Sequence, residues 1–203
     1  MSYELQITDL GYVDQGSGAT APKVVDLVSL AEAKAYLKQS YSSQTAEDAI
    51  ITTMIESARR WIENYLGKSI ISKSIVAFTR DEFAEFELPL PPVTSVTTVK
   101  RIYLDGTSTT LAKNTDYYEI GRQDKVIQFM AIWGTSSFQI AGIEVTYTAA
   151  MTDAYDLAIC KQACLDIVAE NYYNRGDSTE SSFQLIPFNV KTKLNPLRLM
   201  RHL

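Results

Sequence analysis

Residues 45–70, TAEDAIITTMIESARRWIENYLGKSI, decide how this chain is read. At helical spacing they align Ile51, Met54, Ile55, Ala58, Ile62, Tyr65 and Leu66 in one apolar stripe, the signature of a helix with a buried face. Thr45 followed by Asp48 predicts a capping box at its start, with the carboxylate suited to the positive helix end. Gly67 predicts a left-handed stop, with Lys68 beside the negative end. The stretch holds no reactive constellation, so function has to come from what is arranged around it.

The surrounding composition is that of an ordinary globular protein: 203 residues, 46% hydrophobic and 21% charged, enough for one large domain or two small ones. No apolar run approaches the roughly 18 to 20 residues that cross a bilayer, so no membrane partner is expected. The first residues, MSYELQITDL, lack the basic and apolar regions of a secretory signal, which predicts synthesis in the cytosol. A net charge of −5 argues against a general nucleic-acid binder. That charge is unevenly spread. Pro187–Leu203 has four basic and no acidic residues, so it carries +4 and leaves −9 on the rest. A basic tail on an acidic body suits an interaction arm.

Upstream of the helix, residues 1–24 read as an N-terminal arm with a Gly/Ser/Ala/Thr stretch at Gln15–Thr20 and one short strand at Tyr3–Ile7. A first helix opens at Ser29, where Ser29 and Glu32 form a capping box and Leu30, Ala33 and Leu37 share a face. Downstream of Gly67 the period changes to two. Strands are expected at Ile71–Phe78, Val93–Leu104, Thr107–Leu111, Tyr117–Ile120, Val126–Phe129 and Ile143–Tyr147, with Gly121, Gly134 and Gly142 as breaks. Asp105-Gly106 is a hairpin turn, and Pro89-Leu90-Pro91-Pro92 is a rigid corner rather than a proline-rich ligand. A last helix runs from near Asp153 to about Asn174, with Leu157, Cys160, Ala163, Cys164, Ile167, Val168 and Tyr172 inward. From Phe183 onward there are scattered hydrophobics and no clear period. The fold class is therefore α+β: a helical body of three main helices, an inserted small antiparallel β-sheet or sandwich, and extended N- and C-terminal arms.

Candidate chemistry is thin. Cys160 and Cys164 stand one helical turn apart, but tetrahedral zinc needs further ligands and the only histidine is His202, close to the chain end. Two small buried hydrophobes is the simpler reading, and a disulfide fits neither helix geometry nor a reducing compartment. His202 has no third group to orient it as a base, and no nucleophile elbow, Walker A loop or dinucleotide fingerprint is present. Asp81, Glu82, Glu85 and Glu87 alternate with Phe83, Phe86 and Leu88, as a solvated strand edge would. Arg175-Gly176-Asp177 serves as a helix stop rather than an adhesion tripeptide. No catalytic residue, metal site or cofactor is expected. The twelve tyrosines suit surfaces half apolar and half wet, as at subunit contacts.

Five segments in order carry a resemblance: VSLAEAKAYL at Val28–Leu37, ARRWIENYLGKSI at Ala58–Ile70, LPLPPVTSV at Leu88–Val96, VTYTAA at Val145–Ala150 and AENYYNR at Ala169–Arg175. Over about residues 25–176 the chain resembles the gp6-like head–tail connector (adaptor) proteins of tailed bacteriophages. The resemblance implies a structural, non-enzymatic subunit in the virion, at the head–tail interface. Its implied partners are copies of itself in a ring of about twelve, the portal protein above and a tail-side neck, stopper or terminator protein below. Double-stranded DNA would pass through the lumen without sequence-specific binding. Another neck or tail-completion protein of the particle is the alternative within this class, and a hydrolytic or regulatory enzyme the alternative outside it.

On this reading, residues 25–70 with 151–176 form the connector body, 71–150 the β-rich insertion and 177–203 a basic C-terminal arm. The family's habit of docking by terminal arms implies that Phe183, Leu185, Phe188, Lys191, Lys193, Leu197, Arg198 and Arg201 touch the portal or a neighbouring subunit, and that Phe183–Leu203 orders on docking.

Overall fold

The helix read from residues 45–70 is present as Asp48–Leu66 (α2), and its stripe faces inward: Ile51, Ile55, Ala58, Ile62 and Leu66 are all buried. The computed structural model describes residues 3–9, 26–38, 45–80, 85–130, 140–174 and 188–199. Helix α2 stops at Gly67, which takes the left-handed φ of 67° and donates its N–H to the Glu63 carbonyl at 2.9 Å. Its start differs from the expected capping box. Glu47 holds the cap position without a side-chain cap, and Thr45 offers only its carbonyl, to the Asp48 N–H at 3.2 Å. The physical reason is competition: Lys34 pairs with the Asp48 carboxylate and draws it away from a local cap.

Helix α1 (Leu30–Tyr36) has the expected box, with the Glu32 N–H donating to Ser29 Oγ at 3.3 Å and the Ser29 N–H donating to Glu32 at 3.0 Å. Helix α3 (Ala154–Tyr173) starts on Asp153, whose carboxylate accepts from the Tyr155 and Asp156 N–H groups at 2.9 and 3.0 Å. A fourth helix, α4 (Phe188–Leu194), followed by a 3₁₀ turn at Asn195–Leu197, lies in the C-terminal segment where no period was legible. It is not an extended run there: Val190 and Leu194 are wholly buried against the other helices.

The chain divides into two compact units. The helical unit comprises Gly11–Ile70 and Met151–Leu203. Its core joins Val28, Ala33 and Leu37 to the α2 stripe, to Cys160, Ala163, Cys164 and Ile167 of α3, and to α4. Among the described residues two charged side chains lie inside it. Arg59 and Glu63 of α2 are 2% and 4% exposed, so their charges survive only if paired. The Arg59 guanidinium reaches Glu63 at 2.9 Å and Asp26 at 2.7 Å, and the other Glu63 oxygen accepts the Ile70 N–H at 3.0 Å.

The β unit comprises Met1–Leu10 and Ile71–Ala150. Its five-stranded antiparallel sheet runs β1 (Tyr3–Asp9), β2 (Lys73–Thr79), β8 (Ile140–Ala149), β4 (Val93–Tyr103), β5 (Ser108–Thr110). A three-stranded sheet runs β3 (Glu85–Glu87), β7 (Val126–Phe129), β6 (Tyr117–Ile120). Ile75 and Ala77 of β2, and Ile143, Val145 and Tyr147 of β8, alternate into one core with Phe86 and Ile127 of the small sheet. The Pro89–Pro92 corner carries the chain from β3 into β4; Pro91 and Pro92 are buried, which closes them to a proline-recognising partner. The Tyr147 hydroxyl donates to the Pro89 carbonyl. The Asp105-Gly106 hairpin is confirmed, with Gly106 at φ 83°. Gly142, expected as a break, lies inside β8: a Cβ there would meet the Thr79 carbonyl oxygen at 2.3 Å, so only glycine permits this pairing.

The buried trio yields a clear expectation. Arg59→Leu strands Glu63 inside the helical core and is expected to cost about 3–5 kcal/mol. The double variant Arg59→Leu/Glu63→Leu leaves no buried charge on α2 and is expected to be milder than the single one, as urea unfolding followed by far-UV circular dichroism would read.

Candidate functional site

The groups that could carry chemistry are quiet. Cys160 and Cys164 are free and buried, and burial pushes both thiols up to about 12, so neither is a nucleophile near neutral pH. The Cys164 Sγ approaches only the Ile55 carbonyl, at 3.8 Å. Among the described residues no group of three or more histidines, cysteines and carboxylates could hold a metal ion, and no helix is long and apolar enough to cross a membrane. Glu85 and Glu87 occupy the outer face of β3, as a solvated edge would. Asp81, Glu82, Phe83, Gly134, Arg175–Asp177 and His202 lie outside the described residues.

What the helical unit offers is a surface. Along α3, Tyr155, Ala158, Ile159 and Gln162 form an outward stripe that, with Lys193 of α4, lines a shallow groove of about 450 Å³. Tyr155 is 78% exposed, an aromatic ring with no cover. One turn further along, Asp166 gathers three donors: the Tyr36 hydroxyl at 2.7 Å, Gln162 Nε2 at 3.0 Å and Lys193 Nζ at 2.7 Å. Burial alone would raise the Asp166 carboxyl, but the donors Lys193, Tyr36 and Gln162 outweigh it and hold the group below its ordinary value. Tyr36, donating to that carboxylate, is held above its ordinary value. Beside this seam Lys161 of α3 pairs with Glu32 of α1 and, with the Ser29 N–H, lowers the Glu32 carboxyl to about 2. Helices α1, α3 and α4 are thus laced together on one face by exposed polar contacts.

The residues expected to bind a partner are dispersed. Lys191 is exposed on α4. Lys193 borders the groove while pairing with Asp166. Leu197 packs at the edge of the helical core. The Arg198 guanidinium lies 5.4 Å from the centre of the Tyr65 ring, itself stacked on Trp61, and the Leu199 N–H donates to the Leu66 carbonyl at 3.0 Å. Tyr65 also donates to Asn195 at 2.5 Å. The segment 195–199 is therefore pinned to the end of α2. Phe188 begins α4; Phe183, Leu185 and Arg201 lie outside the described residues. The α3 groove was missed from the sequence, although Tyr155, Ile159 and Gln162 sit at helical spacing opposite the Cys160/Cys164 face.

The β unit has an apolar surface of its own. On β6, Tyr118 and Ile120 are 38% and 45% exposed and point away from the core face of Tyr117; Met130, just past β7, is 47% exposed. Glu85 lies across from Gln128 of β7, whose amide donates to it at 3.2 Å. The inner face of the same sheet instead holds Glu119 between Lys113 and Lys125, at 2.8 and 3.2 Å.

Comparison with known proteins supplies context for these surfaces. A family model described as "Head completion protein" matches residues 26–194, which run through both units. No curated protein matches the chain in sequence. Among solved structures, the neck of an empty GTA particle computed with C6 symmetry contains a chain that is 20% identical and superimposes with a TM-score of 0.69, covering 98% of this chain and 97% of that one. A chain in the virion of the native gene transfer agent (GTA) particle is 21% identical with a TM-score of 0.69, over 97% of each chain. A chain in the neck of the native GTA particle computed with C12 symmetry is 19% identical with a TM-score of 0.62, over 98% and 97%. At these identities the likeness is one of fold.

The seam on α1, α3 and α4 sets a pH dependence. Glu32 and Asp166 ionise more readily folded than unfolded, so their contribution is complete above the unfolded carboxylate range and is lost as pH falls through the folded values. For Glu32 that window runs from about 4.5 down to about 2. Thermal midpoints are expected to fall across it, and Glu32→Gln is expected to flatten part of that fall while leaving neutral-pH helix content intact.

Proposed function

The chain belongs to the head completion protein family, and from that premise we propose that it acts as a ring-forming connector subunit joining a phage-type head to its tail. Its coarse role is structural, as a part of the particle's neck. The finer reading places a ring of about twelve copies below the portal, continuing the DNA channel toward a tail-side neck protein. The observation that carries it is the family match from residue 26 to residue 194, because it spans α1–α4 and every strand of both sheets except β1. Symmetric necks in which related folds occur support a ring, since copies around an axis meet through two different faces of each subunit.

The charge distribution suits this role. Apart from the basic C-terminal stretch the chain carries −9, and an acidic wall lets a phosphate backbone slide where a basic one would retain it. Double-stranded DNA would therefore traverse the lumen without sequence-specific contacts. The same stretch is the surface we assign to the portal protein, through the exposed Lys191 and through residues beyond Leu199, Arg201 among them. Lys193, Leu197 and Arg198 would support it by holding the segment on the helical unit. A structural neck subunit has no need of a reacting centre, and burial of both thiols agrees with that.

Native mass measurement of the protein alone and with portal protein tests the proposal, with a ring-sized species expected at least in the mixture. Lys191→Glu/Arg201→Glu is expected to weaken portal binding by tenfold or more, about 1.4 kcal/mol, with unchanged circular dichroism. Portal binding at wild-type strength in that variant would remove the C-terminal contact from the proposal.

A further inference from the structure

Among the described residues two apolar surfaces stand at least partly exposed, one on each unit. The first is the α3 groove with Tyr155 and Ile159 beside Lys193. The second is the outer face of the small sheet. There β6 and β7 present Tyr118, Ile120 and Met130, and β3 adds the exposed acids Glu85 and Glu87 along one rim. The outer face of an antiparallel sheet is ordinarily polar. Of the eight exposed large hydrophobics among the described residues, three fall on this one face, a concentration that marks a contact surface rather than chance exposure.

We propose that these two surfaces are the two halves of one subunit contact: the α3 groove of one copy receives the Tyr118/Ile120 sheet face of the next. The occupant is a second copy of this chain, and the proposal rests on the ring reading above. Three observations favour it. Closing a ring takes two different, mutually complementary patches on every copy, and this chain has two. The patches are complementary in charge at their edges, since the sheet face has an acidic rim of Glu85 and Glu87 and the groove is bordered by Lys193, which stays exposed while it pairs with Asp166. Both carry tyrosine flanked by aliphatic side chains, the residue types that anchor the dry centre of an interface.

The arrangement makes residue-level expectations. Tyr155 and Ile120 would be the central anchors, so replacing either by Asp should raise the concentration needed for ring formation by tenfold or more. Neither side chain belongs to a core, so melting curves of the unassembled protein should be unchanged. A geometric readout separates this contact from any other: Glu85→Cys and Ala158→Cys variants, each made alone, are mixed and treated with a short bis-maleimide. Cys160 and Cys164 are buried and should not react. Cross-linked dimers are expected from the mixture and not from either variant alone, and the double variant should yield a ladder reaching the ring.

Rings that form without mixed cross-links, or that persist in Tyr155→Asp and Ile120→Asp, overturn this contact and leave the ring standing. A wild-type protein that stays monomeric with and without portal protein overturns both. Cross-links from the sheet face only to a different neck protein reassign that face and also overturn the proposal.

Discussion

The helical unit depends on one buried charge. Arg59 sits on the inward face of α2, and a guanidinium there is tolerable only because Glu63 and Asp26 meet it within ordinary ion-pair distance. That pairing does more than neutralise. Asp26 belongs to the segment leading into α1, and Glu63 also holds the Ile70 N–H, so one side chain fixes both how the chain enters the helical unit and how it leaves α2. Apolar packing alone would allow the segment before α1 to slide slightly against α2; a directional ion pair does not. The cost is fragility toward loss of a single partner, and the return is one defined placement on α2 of the segments that precede α1 and follow α2.

The surfaces follow from that rigidity. Tyrosines recur wherever the helical unit turns from dry to wet. Tyr36 donates to Asp166, Tyr65 to Asn195, Tyr172 to Glu47 and Tyr173 to the Leu37 carbonyl. Tyr65 and Tyr172 pack against the helical core, and all four bind with their hydroxyls, which ties separate elements together without another apolar core. A subunit of this kind needs accurate faces far more than it needs a reactive centre. The polar seam and the pinned C-terminal segment together give the helical unit such faces.

Much of this was legible in the sequence. The α2 stripe, the Ser29/Glu32 box, the Gly67 stop, the Asp153 start and the Asp105-Gly106 hairpin are local signals, decided by residues within a few positions of one another. The losses were non-local. The Asp48 carboxylate is drawn from the local cap by Lys34, fourteen positions upstream, and Gly142 was read as a break because its clearance problem comes from β2, which no window around residue 142 contains. Arg59 could have been found: it lies one turn from Ile55 and Ile62 on the buried stripe, with a glutamate four residues on. Helix α4 is too short for its period to show, and its burial is settled by partners far upstream. The candidate contact surfaces were invisible for a similar reason. Exposure of Tyr155 or Ile120 is a property of what fails to cover them, and sequence records only what is there.

Helix α4 has a consequence for how the protein is made. Val190 and Leu194 complete the interior begun by α1, α2 and α3, yet they leave the ribosome after all three of those helices. A nascent chain therefore carries an unfilled gap between its helices until α4 has been made. A product terminated early would keep that gap and the apolar surface around it, and would be a substrate for proteases before it could be built into a particle. Because the closing piece follows the helices it completes, stability of the helical unit requires synthesis through α4, which is a useful screen for a component that one faulty copy could spoil.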